Sequence, residues 1–393
     1  MFNEEFKLVF RKYLPIILVF ILIPLVSYLI WLLYPVHQLE ILVIDKSVTN
    51  DKYNEHQSFF WLLEYQKIQN KSGDFYDFTK DYSGYHLGNG ADEIGYGDDF
   101  SNLTEVEIST KIKALDVIFI ADTYGVYKND LSKMDLNERS SKIYGGLNQG
   151  EIKLVREAAK QNKTIIVEFN SFDTPTTKFN RTEFENELGI KWTGWIARYF
   201  NELDTTGNKD LPKWLISNYL EQHDNQWVGV GPGIVFVHED GKVEALSYGL
   251  DYQSRIPEIR TQYFNKSDFK LPELVPYPDW FDIVLIDRGY EVISYFDIGP
   301  TAEGIEKLKG MNLPRFFPAT VVKNSDKGQF YYLAGDFSDM RFELGSPRFT
   351  GLPTLWRGFH LVSDYKDREG FYWNYYFPLM SQILQKAEDR ITE

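Results

Sequence analysis

The sequence predicts an α/β protein: one membrane-spanning helix, then a mainly parallel sheet with helices, then additions rich in β-hairpins. Three observations predict it. Residues 14–34 are apolar and uncharged throughout. Between residues 39 and 200, short β-rich apolar runs alternate with helix-period segments. After residue 200 the apolar runs come in pairs separated by Asp-Gly or Arg-Gly.

The first element is LPIILVFILIPLVSYLIWLLY, Leu14 to Tyr34. At about 1.5 Å per residue it covers a hydrocarbon core of about 30 Å. Its apolar part is too long for a signal peptide, and no small-x-small cleavage site follows it. Tyr28, Trp31 and Tyr34 lie toward one end, as interfacial aromatics do. Pro15 suits a first turn, whereas Pro24 predicts a kink. Lys7, Arg11 and Lys12 precede the span, and no Lys or Arg follows before Lys46. The positive-inside rule therefore predicts a single-pass cell-membrane anchor, with residues 1–13 as a cytoplasmic tail and the C-terminal domain extracytoplasmic.

Pro35–Gln38 leads almost without a linker into LEILVID (39–45), read as a strand. A helix is expected near 55–67, and the Gly/Asp/Tyr-rich stretch 84–100 reads as a long surface loop. Residues 103–114 form a helix leading into the strand DVIFIADTYG (116–125). GEIKLVREAAKQN (150–162) carries Ile152, Val155 and Ala158/Ala159 at helical spacing, and the strand TIIVEF follows at once. Thr182-x-x-Glu185 is a capping-box pattern and Gly189 a helix stop; Phe184 and Leu188, four apart, share a face. This alternation defines a core over 36–200 with right-handed crossovers.

From 201 to 328 the pattern becomes a β-rich insertion. GIVFVHEDGKVEAL (233–246) and FDIVLIDRGYEVISYF (281–296) read as hairpins turning at Asp240-Gly241 and Arg288-Gly289. Residues 301–310 form a short helix. Residues 329–393 return to the core with the strand QFYYLAGDF and an aromatic C-terminal helix, FYWNYYFPLMSQILQKA. The glycines of GVGPG (229–233) lack the helix that a phosphate loop needs and mark a turn.

Composition excludes several classes. A net charge of −15 opposes nucleic-acid binding. The absence of Cys removes disulfides, thiolate metal sites and a cysteine nucleophile. The six His residues show no metal-ligand spacing, and there is no GxSxG elbow or P-loop lysine motif, so neither metal nor cofactor is expected, with carboxylates alone left as the one donor set for a hard cation.

In open parallel sheets, ligands bind beyond the carboxyl ends of the strands. Those ends carry Asp45, then Asp122 and Tyr124, then Glu168, Asn170 and Asp173, and finally Asp336. Carboxylates converging from neighbouring strands suit acid/base work, although Asp and Asn also favour strand exits as turn and cap residues. A second candidate is WTGWIARYF (192–200). The faces of Trp192 and Trp195 and the guanidinium fork of Arg198 suit a sugar ring bearing an acidic group; core packing is the competing role.

The order of an edge strand, DVIFIADTYG, a helix, a strand with a polar exit and a late strand ending at Gly335-Asp336 resembles the class I glutamine amidotransferase-like superfamily. Those proteins have a flavodoxin-like α/β fold, and the resemblance spans residues 39–200 and 329–340. It implies a nucleophilic Cys on the turn after a central strand, followed by a His and a Glu. Here that turn is Phe169-Asn170-Ser171-Phe172, with no Cys, and Asp336 stands where the His is expected. The resemblance therefore implies a degenerate, non-catalytic member serving as a binding or assembly module.

The functional expectation is a non-catalytic extracytoplasmic module of the cell envelope. It would bind a glycan or a membrane-protein partner in polysaccharide synthesis or export. The alternative is a glycan hydrolase using Asp122 and Glu168, whose carboxyls would then lie about 5–5.5 Å or about 6.5–9.5 Å apart.

Overall fold

The computed structural model describes residues 4–88, 95–131, 141–325, 328–360 and 368–392. Helix α1 (Glu4–Leu32) runs unbroken through Pro15 and Pro24. Its stretch Phe10–Leu32, 23 residues, is long and apolar enough to cross a membrane and is mostly exposed. The tail expected over 1–13 is thus helical from residue 4, and residues 1–3 lie outside the described residues.

The apolar runs of the N-terminal half become strands β1 (Ile41–Asp45), β2 (Tyr82–His86), β3 (Tyr96–Gly97), β4 (Val117–Asp122) and β5 (Thr164–Glu168). Every residue of β1, β4 and β5 is buried, as continuous rather than alternating hydrophobicity requires in a sheet covered on both faces. Of the loop expected at 84–100, residues 89–94 lie outside the described residues; its flanks form the antiparallel pair β2–β3.

The helices between them are α2 (Asn54–Tyr65), α3 (Glu105–Ala114), α4 (Gln149–Lys160) and α5 (Lys178–Leu188). Thr104 and Asn148 close capping boxes on α3 and α4. The Thr182–Glu185 box does not form. Thr177 caps α5 instead, accepting from the Asn180 N–H, which places Thr182 inside the helix with its hydroxyl on the Lys178 carbonyl. Gly189 ends α5 in the left-handed conformation, φ 75°.

The second half supplies β6 (Ile190–Phe200), α6 (Lys213–Gln222), β7 (Gly233–His238), β8 (Val243–Ser247), β9 (Glu258–Thr261), β10 (Leu274–Pro276), β11 (Phe281–Ile286) and β12 (Glu291–Asp297). After α7 (Ala302–Gly310) come β13 (Phe317–Ser325), β14 (Gly328–Leu333) and α8 (Leu352–Phe359). A π-helical turn at Tyr372–Tyr376 leads into α9 (Phe377–Thr392).

Ten strands form one sheet in the order β10-β9-β12-β13-β14-β5-β4-β1-β2-β3. The pairs β14–β5, β5–β4, β4–β1 and β1–β2 are parallel and the rest antiparallel, so the sheet is mixed rather than mainly parallel. Its five parallel strands, numbered along the chain, run 2-1-3-4-5, the flavodoxin-like order. DVIFIADTYG is not an edge strand: it lies between β1 and β5.

Within the stretch read as a β-rich insertion, β9, β10, β12 and β13 extend the main sheet. A second, antiparallel sheet has the order β8-β7-β6-β11. The 233–246 hairpin forms. The 281–296 hairpin does not: β11 pairs with β6, while β12 pairs with β9 and β13. The turn closed by the Tyr290 N–H on the Asp287 carbonyl passes the chain from one sheet to the other. The aromatics of the C-terminal helix are core. Tyr372, Trp373, Tyr375 and Tyr376 are buried, and the Tyr375 hydroxyl bonds to Ser294 and Thr320 between β12 and β13.

Candidate functional site

The strand order reverses between β1 and β4, and Asp45 and Asp122 sit at their carboxyl ends. This crevice is filled by its own hydrogen bonds. Asp122 accepts from the Ser47 hydroxyl and the Tyr124 N–H on one oxygen and from the Asn170 amide, 2.9 Å away, on the other. Asp45 accepts from the Ser47 N–H (2.8 Å) and faces the buried His56 ring across 2.6 Å, whose other nitrogen meets the Phe78 carbonyl at 2.8 Å. Only glycine fits at position 84, because a Cβ there would lie 1.6 Å from the Asp45 carbonyl oxygen. Neighbouring Lys46 is buried as well, paired with Glu151 at 2.9 Å.

One strand further, Glu168 takes the backbone N–H groups of Phe337 and Ser338 at 2.6 Å on Oε1, and its Oε2 is buried without a hydrogen bond. It thereby ties the exit of β5 to the loop after β14. Asn170, on the turn 169–172 where the resemblance expects a nucleophile, bends the chain sharply at φ 65°, but its side chain is held by Asp122. The Ser171 hydroxyl is buried on the Glu168 carbonyl.

The loop from β14 carries Asp336 and Asp339, and α2 brings Glu55 to them. One oxygen from each lies within 4.8 Å of the others, a spacing a hard cation could bridge. Sequence reading marked only Asp336. Glu55 and Asp339 carried no signal, since they reach the site from a helix start and a loop far apart in sequence.

These carboxyls share one electrostatic environment. Burial, then Asp45, pushes Asp122 up to about 7. Burial pushes Glu168 up to about 8 against the pull of its two N–H donors. Burial, then Asp339, raises Glu55 and Asp336 far above the ordinary carboxylate range. Of the five strand-end carboxylates singled out in the sequence, Asp45, Asp122, Glu168 and Asp336 act on one another as an interior network. Asp173 lies outside it, accepting from the Thr174 N–H, and Tyr124 joins it through its backbone N–H while its ring packs on Tyr127, centres 5.1 Å apart.

The aromatic-arginine segment divides. A bulge at Gly194 (φ 86°) interrupts the β6–β11 pairing between Trp192 and Ile196. Trp192 and Trp195 are core residues, the indole N–H of the first on the carbonyl of the second. Arg198, Tyr199 and Phe200, at the far end of the segment, line a cavity of about 380 Å³, together with Asp279, Arg341, Phe342 and Arg368. There Arg368 pairs with Asp279 and donates to the carbonyls of Asp336 and Asp339, which joins the cavity to the acidic network. Burial pushes Asp279 up, but Arg368, then Arg198 and Arg341, outweigh it and hold the carboxyl at about 2. Arg341, whose side chain is 61% exposed, also bonds Asp339 at 3.0 Å.

No protein-family model matches the sequence, and no curated protein matches it. Among solved structures, a cytoplasmic protein from Salmonella typhimurium LT2 superposes with a TM-score of 0.40 at 8% identity, over 88% of this chain and 99% of that one. A protein from Bacteroides uniformis described as ThuA-like gives 0.35 at 8% identity, over 80% and 88%. The carbohydrate deacetylase Agd3 gives 0.34 at 11% identity, over 77% of this chain and 30% of its own.

Proposed function

We propose that the chain is a membrane-anchored, extracytoplasmic, non-catalytic module that binds an acidic envelope glycan in the arginine-lined cavity. The observation that carries this reading is the use to which the strand-end carboxylates are put. Asp45 and Asp122 are hydrogen-bond acceptors within the fold, and Glu168 is buried behind the β14 loop. Acid/base catalysis needs a carboxyl within hydrogen-bond reach of substrate. The cavity beside them offers what a sugar acid needs: guanidinium forks for a carboxylate and aromatic faces for a ring. The 2-1-3-4-5 strand order and Asn170 at the turn support a degenerate amidotransferase-like core.

The test uses the full chain in detergent, titrated calorimetrically with a polyuronate and with neutral dextran. The polyuronate is expected to bind and dextran not to, with Arg341→Ala weakening binding at least tenfold. Absence of polyuronate binding, or binding indifferent to Arg341→Ala, overturns the reading. Topology is tested separately. In this cysteine-free chain, Lys209→Cys is expected to react with an impermeant maleimide on intact cells.

A further inference from the structure

Helix α8 repeats its apolar residues at one-face spacing: Leu352, Leu355, Trp356 and Phe359, that is i, i+3, i+4 and i+7. That face is only half used by the protein. Leu352 and Trp356 pack on the core, Trp356 stacking on Trp373 with ring centres 6.5 Å apart. Leu355 and Phe359 are left 53% and 69% exposed.

Where α8 sits decides what covers them. The two residues just before its Gly351 cap are fastened to the outgoing end of α1. The Thr350 carbonyl accepts from the Ser27 hydroxyl at 2.9 Å, and the Thr350 N–H reaches the Ser27 carbonyl at 3.3 Å. The Thr350 hydroxyl bonds that of Tyr34, and the Phe349 ring packs on Tyr28, centres 6.1 Å apart. Ser27 lies five residues before the end of α1, about 7–8 Å along the helix axis. The segment that starts α8 is therefore level with the last turns of the apolar stretch.

That level is held firmly. Lys67 Nζ donates to the carbonyls of Leu32 and Tyr34 at 3.0 and 2.9 Å, and the Trp31 indole N–H donates to the Tyr65 carbonyl at 2.9 Å. With α1 in a bilayer, α8 cannot leave the boundary where hydrocarbon gives way to headgroups. A short helix with large apolar side chains on one face is the kind of element that lies in that plane.

We infer that α8 is an interfacial helix, inserting Leu355 and Phe359 into the same leaflet that α1 leaves. The inference rests on α1 being a membrane span. The full chain, free of native cysteine, is reconstituted in phosphatidylcholine/phosphatidylglycerol nanodiscs and spin-labelled singly at Leu355→Cys, Phe359→Cys, Leu25→Cys or Lys209→Cys. Collision with oxygen, which partitions into lipid, is compared with collision with a water-soluble nickel chelate. The oxygen-to-nickel ratio at 355 and 359 is expected to exceed that at 209 severalfold, with the ratio at 25 higher still. If 25 reads lipid but 355 and 359 read water, α1 spans and α8 is not interfacial. Labels at 355 and 359 shielded from both reagents would mean a protein covers the face, a second copy or a partner, and would also overturn the inference. If 25 itself reads water, the anchor and this inference fall together.

Discussion

At Glu168 two effects oppose each other: burial favours the neutral acid, and the Phe337 and Ser338 N–H groups favour the carboxylate. Burial wins, and the carboxyl rises to about 8. The unfolded chain releases this proton near pH 4.3, at about the ordinary glutamate value. Between the two values the folded state holds a proton that the unfolded state has lost. The stability this group contributes is therefore complete below about pH 4.3 and is lost as pH rises through about 8. Glu168→Gln retains an acceptor for both N–H groups and needs no proton. Its melting temperature relative to wild type should thus climb from pH 5 to about pH 8 and level off above that. The slope in stability should be at most about 1.4 kcal/mol per pH unit. Parallel pH profiles for the two proteins would exclude a raised carboxyl at this position. Glu168 was readable in the sequence as a polar strand exit. Its partners were not, because Phe337 and Ser338 arrive from a loop whose path depends on β14 joining the sheet beside β5.

At the scale of elements, sequence patterns located helices and strands well and assigned their partners poorly. The strands around 41–45, 117–122 and 164–168 stood out because buried parallel strands are continuously apolar. The false hairpin at 281–296 shows the limit. Arg288-Gly289 indicates that the chain turns, but pairing depends on which edges β6 and β13 leave open, and those strands lie far away in sequence. The capping box of α5 failed for a related reason: Thr182-x-x-Glu185 has the pattern, but Thr177 holds the helix start five residues earlier. The two threonines separate the readings. Thr177→Ala should destabilise the protein by about 1 kcal/mol, the usual loss for an N-cap, and Thr182→Ala by much less. Denaturant titration of both variants decides between them; the reverse ranking would restore the box at Thr182.

For the whole molecule, Lys67 couples helix α1 to the folded domain. Its ammonium group closes the last turn of α1 from within the folded domain, beside Trp31. Lys67→Met should leave the carbonyls of Leu32 and Tyr34 without their donor, at about 1 kcal/mol for a part-buried hydrogen bond. Limited proteolysis of the full chain in detergent should then cut within residues 33–38 earlier than in wild type; unchanged cutting would show that the anchor is held elsewhere. Sequence reading foresaw the short connection but not this clamp, because a lysine 35 residues beyond Leu32 carries no local mark of its target.

The clamp also bears on how the proposed glycan-binding module would meet its ligand. A receptor head on a flexible stalk samples a volume, and its stalk length sets the effective concentration at which it finds a target. Here the helix enters the domain with no slack. Embedded in a bilayer, the cavity between Arg198 and Arg341 keeps one height and one tilt and moves only by lateral diffusion. On the proposed glycan-binding reading its search would be two-dimensional, and a polymer strand would be met only where it passes through that single plane.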